Sequence, residues 1–317
     1  MRKIWERDRL YSVLRYYVDC CTRASYRRLT VHGAIPSEDA VLICPNHTNT
    51  LMDALVVLQS RHAPTVFGAR ADIFAQPAVA KILRFLKILP MVRRRDGIRN
   101  VLRNYETMDE VQEVLKNHTP FCMFPEGRHT PGRELQPLQK GVARMAFQSA
   151  LARPTKVVPV GINYSDFFHY RGTCDITYGE PIDVNAFLAA TEGMPEGPRY
   201  QAFLQELTRR MSALILPEVP PCAIPIGLKI LLFPLWTAAA LLSLPMWLPA
   251  EWMCRHKVKD AAFHNTVRFG FRLVAGPLTF LLWALIFFLT LPWWSAAALL
   301  ILFLFSYSLF YDLRLVR

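Results

Sequence analysis

From about residue 29 the chain alternates short apolar runs with longer stretches whose apolar positions recur every three or four residues. The short runs, at 29–32, 40–44, 65–69, 91–93, 121–124, 156–163 and 174–178, predict β-strands. The stretches at 51–61, 77–86, 98–117, 140–151 and 199–216 predict amphipathic helices. Strands separated by helices in this way predict an α/β fold: a mixed, mainly parallel sheet flanked by helices, occupying 29–221, with ligands at the strand ends.

Beyond residue 221 the rhythm is lost, and 222–317 reads as a membrane anchor of α-helical segments. Residues 230–250 carry no charge but include Pro234, Pro245 and Pro249. At about 20 residues per span, this block is long enough to cross a bilayer once or to dip in and return at its prolines. Residues 273–311 form a run of 39 without Asp, Glu, Lys, Arg or His. As one helix it would be roughly 58 Å long, nearly twice a bilayer core. The Pro292-Trp293-Trp294 triplet supplies a break and interfacial aromatics, so two spans forming a hairpin are expected. The connection between the two blocks holds Arg255, Lys257, Lys259, Arg268 and Arg272, which predicts a cytoplasmic position. A catalytic domain on that same face would require the first block to be re-entrant. At the other end, residues 1–28 interleave Trp5, Leu10, Tyr11, Val13, Leu14, Tyr17 and Val18 with Arg7, Arg9, Arg15 and Arg23. That pattern suits an amphipathic helix lying on a membrane surface, and equally one packed on the domain core. No continuous apolar segment marks a cleavable signal there.

Composition agrees with membrane attachment. Of 317 residues, 52% are apolar before glycine is counted, against about 45–50% with glycine in soluble domains. The net charge of +12 is patchy: residues 1–30 hold eight basic and three acidic side chains, 81–103 hold eight and one, and 222–317 hold eight and three. Basic patches beside apolar segments point to anionic lipid rather than nucleic acid, with ordinary solvated surface charge as the alternative for each. The seven cysteines contain no C-x-x-C pair, and Cys44 and Cys122 sit in apolar runs as small hydrophobes, so a reducing compartment is expected.

Chemistry concentrates in two stretches. Pro45-Asn46-His47-Thr48-Asn49-Thr50-Leu51-Met52-Asp53 follows a strand and opens a helix. Asp53 has two readings: the acid of a capping box with Thr50, or the partner that fixes the tautomer of His47 and leaves its other nitrogen as a general base. One carboxylate has oxygens enough for both. Phe121-Cys122-Met123-Phe124-Pro125-Glu126-Gly127-Arg128 is a strand ending in a tight turn that presents Glu126 and Arg128. No G-x-S-x-G elbow, H-E-x-x-H or Cys/His metal spacing occurs, so serine-hydrolase and metal chemistry are not expected. His32, His62, His118 and His169 read as surface or structural residues.

Together the two stretches resemble the glycerolipid acyltransferase superfamily, the PlsC-like enzymes. Four ordered motifs carry the likeness: Asn46-His47 with Asp53, Leu89-Pro90-Met91-Val92-Arg93, Phe124-Pro125-Glu126-Gly127 and Val158-Pro159-Val160-Gly161. Lys140-Gly141 and Gly179-Glu180-Pro181-Ile182 also look like family positions, and the resemblance covers about 29–185. Five residues separate His47 from Asp53 where most members have four. That spacing is similar to the branch containing fungal glycerol-3-phosphate and dihydroxyacetone-phosphate acyltransferases and related bacterial proteins with an apolar tail. Lys257-Val258-Lys259-Asp260 and the segment from Phe263 to Phe269 look like that branch too. Arg128 follows Gly127 directly, which departs from the usual order of the motif.

The resemblance implies an acyltransferase using acyl-CoA or acyl-carrier-protein as co-substrate, with no cofactor and no metal. His47 and Asp53 would be catalytic. Asn46, Arg93, Glu126, Gly127 and Arg128 would bind substrate, with Arg93, beside Arg94 and Arg95, on an acceptor phosphate and Glu126 on a glycerol hydroxyl. Backbone N–H groups at the helix start would stabilise the oxyanion. The expected acceptor is 1-acylglycerol-3-phosphate, in phospholipid biosynthesis. Glycerol-3-phosphate or another lyso-lipid or aminolipid is the alternative, and a non-catalytic lipid-binding scaffold is the alternative of another class. Membrane lipid and the acyl donor are the expected partners, without nucleic acid, and the sequence carries no sign of an oligomeric state.

Overall fold

The computed structural model describes residues 3–6, 8–36, 39–61, 63–91 and 101–315, the side chains of 101–106 excepted. Its strands are β1 (Arg28–His32), β2 (Ala40–Pro45), β3 (Val66–Arg70), β4 (Ile88–Met91), β5 (Phe121–Cys122), β6 (Thr155–Tyr164), β7 (Thr173–Tyr178) and β8 (Ile182–Asp183). They form one sheet in the order β1-β7-β6-β2-β5-β3-β4, with β8 also on β6. Among these, β6 runs antiparallel to β7 and β8, and every other pairing is parallel. The mixed, mainly parallel α/β sheet is therefore present.

Central β2 explains the layering. All six of its residues are buried, as expected for a strand covered on both faces. Side chains alternate, so Ala40, Leu42 and Cys44 join one core and Val41 and Ile43 the other. The first core is filled from helices α4 (Val101–Lys116), α5 (Lys140–Ala150), α6 (Val184–Ala190) and α7 (Glu196–Ser212). The second is filled from α1 (Arg9–Arg23) and α2 (Leu51–Gln59) and, in addition, from the apolar tail, whose Met246, Phe269, Leu300 and Tyr307 belong to it. α1 buries Tyr11, Arg15, Cys21 and Thr22 against the domain while Leu10, Val13 and Tyr16 stay exposed.

Several boundaries differ from the sequence pattern. β4 starts at Ile88, because Lys87, at φ 62°, turns the chain straight out of α3 (Pro77–Phe85) into register with β3. Of the predicted strand 91–93 it includes Met91, and Arg93 lies outside the described residues, with Val92, Arg94 and Arg95. β5 shrinks to Phe121–Cys122, since Pro125 has no N–H to offer a ladder and Gly127 turns at φ 69°. α6 and β8 carry too few residues for their period to register in the sequence. His62 is outside the described residues as well.

The tail comprises α8 (Ile226–Leu231), α9 (Phe233–Leu242), α10 (Leu244–His256), α11 (His264–Thr290) and α12 (Trp293–Leu313). The run Ala261–Thr290 and α12 are each long and apolar enough to cross a membrane, and Pro292 precedes the first turn of α12. α9 and α10 are bent by 84° at Ser243. The bend lies beside the C-terminal half of α11, where Trp283 Nε1 donates to Leu242 O at 2.8 Å. Both outer ends return towards the domain. Lys229, just before α9, donates to Arg314 O, while Glu251 near the end of α10 pairs with Arg268 at 2.7 Å. α12 returns there too: Asp312 takes Arg27 at 2.9 Å and Arg171 at 2.7 Å, both from the α/β domain.

Candidate active site

Parallel strands β2, β5 and β6 end on one edge of the sheet, and the loops leaving them meet there. His47 follows β2 and Glu126 follows β5. Tyr164 closes β6, where Gly161 is required, because a Cβ there would lie 2.5 Å from Leu214 O.

Asp53 is fully buried on the first turn of α2. Its Oδ2 receives His47 Nδ1 at 2.8 Å, Thr48 N at 2.8 Å and Asn49 N at 2.7 Å. Its Oδ1 receives the Tyr164 hydroxyl at 2.7 Å. A carboxylate only accepts, so the hydrogen of the imidazole sits on Nδ1 and Nε2 is left with its lone pair. Among the described residues, Nε2 makes no hydrogen bond. The ring keeps 19% exposure and is held flat against Phe124, centroids 4.2 Å apart at 24°. Both readings of Asp53 hold in part. It accepts backbone donors and orients the imidazole, but no capping box closes, because the Thr50 side chain makes no bond to its own helix. With the Thr48 and Asn49 amides pointing at Asp53, those two N–H groups are not available as oxyanion donors.

Glu126 is 3% exposed and both oxygens carry a backbone donor: Oε1 from His47 N at 2.6 Å and Oε2 from Gln136 N at 3.0 Å. Burial raises its pKa, and the two backbone donors partly offset that. Its present contacts brace the His47 loop rather than face solvent. Asn46 does likewise on the other side, exchanging both amide bonds with Ile162, at 2.7 Å to the N–H and 3.1 Å to the carbonyl. Gly127 makes the turn after Glu126, its N–H donating to Phe124 O at 3.1 Å. Arg128 is exposed and donates to Gln136 Oε1 at 3.1 Å.

Three participants went unnoticed in the sequence. Tyr164 lies 111 positions from Asp53 and only the sheet brings it in. His129 stands edge-on to His47, centroids 5.8 Å apart, and Thr130 N donates to His47 O at 3.0 Å. Asn49 is 1% exposed, with neither polar atom of its side chain partnered among the described residues. His129 had a signal in adjoining the motif of Glu126, and Asn49 in lying between His47 and Asp53; Tyr164 had none. Of the histidines read as structural, His169 pairs with Asp166 at 2.8 Å on the exposed loop after β6.

Part of the chain resembles known proteins. The acyltransferase family model matches residues 28–163. Glycerol-3-phosphate O-acyltransferase 2 of Saccharomyces cerevisiae is 39% identical over 87 residues, 26% of this chain and 11% of that one. Glycerol-3-phosphate O-acyltransferase 1 of the same yeast is 34% identical over 92 residues, 28% of this chain and 12% of that one. The matched stretch is thus a small part of either relative. Among solved structures, the 1-acyl-sn-glycerophosphate (LPA) acyltransferase PlsC from Thermotoga maritima aligns with a TM-score of 0.47 and 20% identity, over 69% of this chain and 87% of that chain. The stretch that matches the acyltransferase family, residues 28–163, contains all four motifs together with the paired His47 and Asp53.

Proposed function

We propose that the chain is a membrane-bound O-acyltransferase that moves a fatty acyl group from acyl-CoA or acyl-carrier-protein to the hydroxyl of 1-acylglycerol-3-phosphate. The observation that carries this reading is the His47–Asp53 pair, with a buried carboxylate on Nδ1 and the other ring nitrogen towards a partly open edge. Nε2 takes the proton of the acceptor hydroxyl as its oxygen attacks the thioester carbonyl. The tetrahedral intermediate expels the thiolate, which recovers that proton from the imidazolium, leaving an ester and a free thiol. No covalent acyl-enzyme is needed. Glycerol-3-phosphate is the second reading, favoured by the names of the two yeast relatives. Arg93 is the residue proposed for the acceptor phosphate in either case.

The test is transfer from labelled acyl-CoA and acyl-carrier-protein, by protein purified in detergent, to both glycerol phosphates and to uncharged lyso-lipids. His47→Ala is expected to lower turnover about 10²- to 10⁴-fold. Equal transfer by wild type and variant would remove the mechanism, and transfer to no acceptor would favour the scaffold.

The tail supports an integral membrane location with the domain on the same face as the connection holding Arg255, Lys257, Lys259, Arg268 and Arg272, whose charge favours the cytoplasmic side. Both ends of the α11–α12 hairpin and both ends of the bent α9–α10 pair lie beside the domain, as a hairpin plus a re-entrant segment require. Cys20 and Cys222 are exposed on the domain side and suit a membrane-impermeant thiol reagent. Modification in inside-out vesicles but not in intact cells is expected, and the reverse would place the domain outside.

A further inference from the structure

The loop that carries His47 is held from two directions, and one of them is the membrane tail. Thr50 sits at φ 48° and ψ −123°, a region that β-branched residues avoid. Such a conformation persists only when its surroundings over-determine it. Within the domain, the amides of Thr48 and Asn49 are tied to Asp53. The Thr50 hydroxyl is tied elsewhere: it meets Thr266 Oγ1 at 2.7 Å and Ala262 O at 3.4 Å, 216 and 212 positions away. Thr50 is 5% exposed, so water does not compete freely for this contact.

The start of α11 is itself fastened to the domain. Asn265 donates to Phe167 O at 2.9 Å and Arg268 to Phe168 O at 2.8 Å. The turn before α11 reaches the same site from the other side. Phe263 packs against the His129 ring, centroids 5.1 Å apart, and Asp260 Oδ2 lies 3.4 Å from His129 Nε2. His129 in turn faces His47.

We propose that the connection between α10 and α11, together with the first turn of α11, is part of the catalytic apparatus, with Thr266 a positioning residue that sets the His47 loop through Thr50. The tail then does more than hold the enzyme at the bilayer, since its docking completes the conformation in which His47 works. This rests on the acyl-transfer reading for its kinetics, but the reactivity of His47 tests it independently.

The test uses the full chain in detergent. Thr266→Val keeps the shape and removes the hydroxyl. Its kcat is expected to fall about three- to tenfold, the equivalent of one lost hydrogen bond, with KM for the thioester within about twofold. Carbethoxylation of His47, measured by peptide mass spectrometry against exposed His169, is expected to change by about twofold or more. Thr266→Ser restores both. Thr279→Val removes a buried hydroxyl from the same helix, one bonded, among the described residues, only to Ala275 O within that helix, and is expected to change neither. Wild-type kcat and wild-type His47 labelling in Thr266→Val would overturn the proposal, as would an equal effect of Thr279→Val. If wild type transfers to no acceptor, the acyl-transfer reading fails; the labelling then decides alone, a change at His47 supporting the proposal and none overturning it.

Discussion

Two regions of this molecule bury carboxylates, and they neutralise them differently. At the sheet edge, Asp53 is surrounded by two backbone N–H groups, a tyrosine hydroxyl and an imidazole, and Glu126 by two more backbone N–H groups. No arginine touches either carboxylate among the described residues. Between tail and domain, Glu251 is paired with Arg268, and Asp312 with Arg27 and Arg171. The chemical consequence follows from what each partner is able to give up. An arginine stays protonated, so its pairs are fixed and serve as clamps. An imidazole exchanges a proton near neutral pH, so the carboxylate surrounded by neutral donors is the one suited to support proton transfer. The site and the clamp thus use the same kind of acidic side chain for opposite ends.

Replacing the acid at the sheet edge should produce the largest effect. Asp53→Asn puts an amide where three N–H groups converge and removes the acceptor that selects the Nδ1–H tautomer. Turnover in a labelled acyl-transfer assay is expected to fall about 10²- to 10⁴-fold, while the tail remains docked. Comparable losses of turnover in Asp53→Asn and in a clamp variant would erase the distinction between the two regions.

The clamp should answer in stability instead. Arg268→Met takes from buried Glu251 its nearest cation and leaves it the Tyr311 hydroxyl at 2.9 Å and Arg314 at 3.9 Å, and thermal unfolding in detergent is expected to register a loss of up to about 3 kcal/mol. Combined with Glu251→Gln, most of that is expected to return, because no uncompensated charge remains. A double variant no more stable than the single one would mean that the arginine acts through packing and its bond to Phe168 O.

Tyr164→Phe sharpens the comparison by removing one neutral donor from Asp53. Turnover is expected to fall about five- to tenfold, with the imidazole still in place. An unchanged rate would reduce Tyr164 to a packing residue.

The smallest effect belongs to a pair outside both regions. Asp166 loses solvation on partial burial, but its hydrogen bonds from the His169 ring and the amides of Phe168 and His169 outweigh this and bring its pKa from 3.8 to about 2. A depressed acid stabilises the fold above its unfolded pKa, so this contribution is present above about pH 4 and lost as pH falls towards 2. Thermal midpoints measured across that window should depend less on pH in Asp166→Asn than in wild type.

His47 and Asp53 were legible because six positions across a strand–helix turn bring them together whatever the rest of the chain does. Glu126 was legible through its motif, although its contacts were not: the sequence suggested a group facing substrate, whereas the fold turns both oxygens onto backbone amides. The capping box of Thr50 and Asp53, one of the two readings of that acid, illustrates the limit. Local spacing permits it, but the Thr50 hydroxyl is drawn to Thr266 by a helix more than two hundred positions away.

Periodicity, the charge-free run and the ordered motifs by themselves determined the α/β class, the apolar tail with its break near Pro292, and the identity of the paired His and Asp. These are local properties, set by which residues repeat at the period of a strand or helix and by how long an apolar run is. Only the tertiary structure decided that Tyr164 closes the far side of Asp53, that α9 and α10 bend back to the domain, and that Thr266 meets the His47 loop. Each of those depends on which surfaces are buried against each other, and burial is a property of the assembled chain.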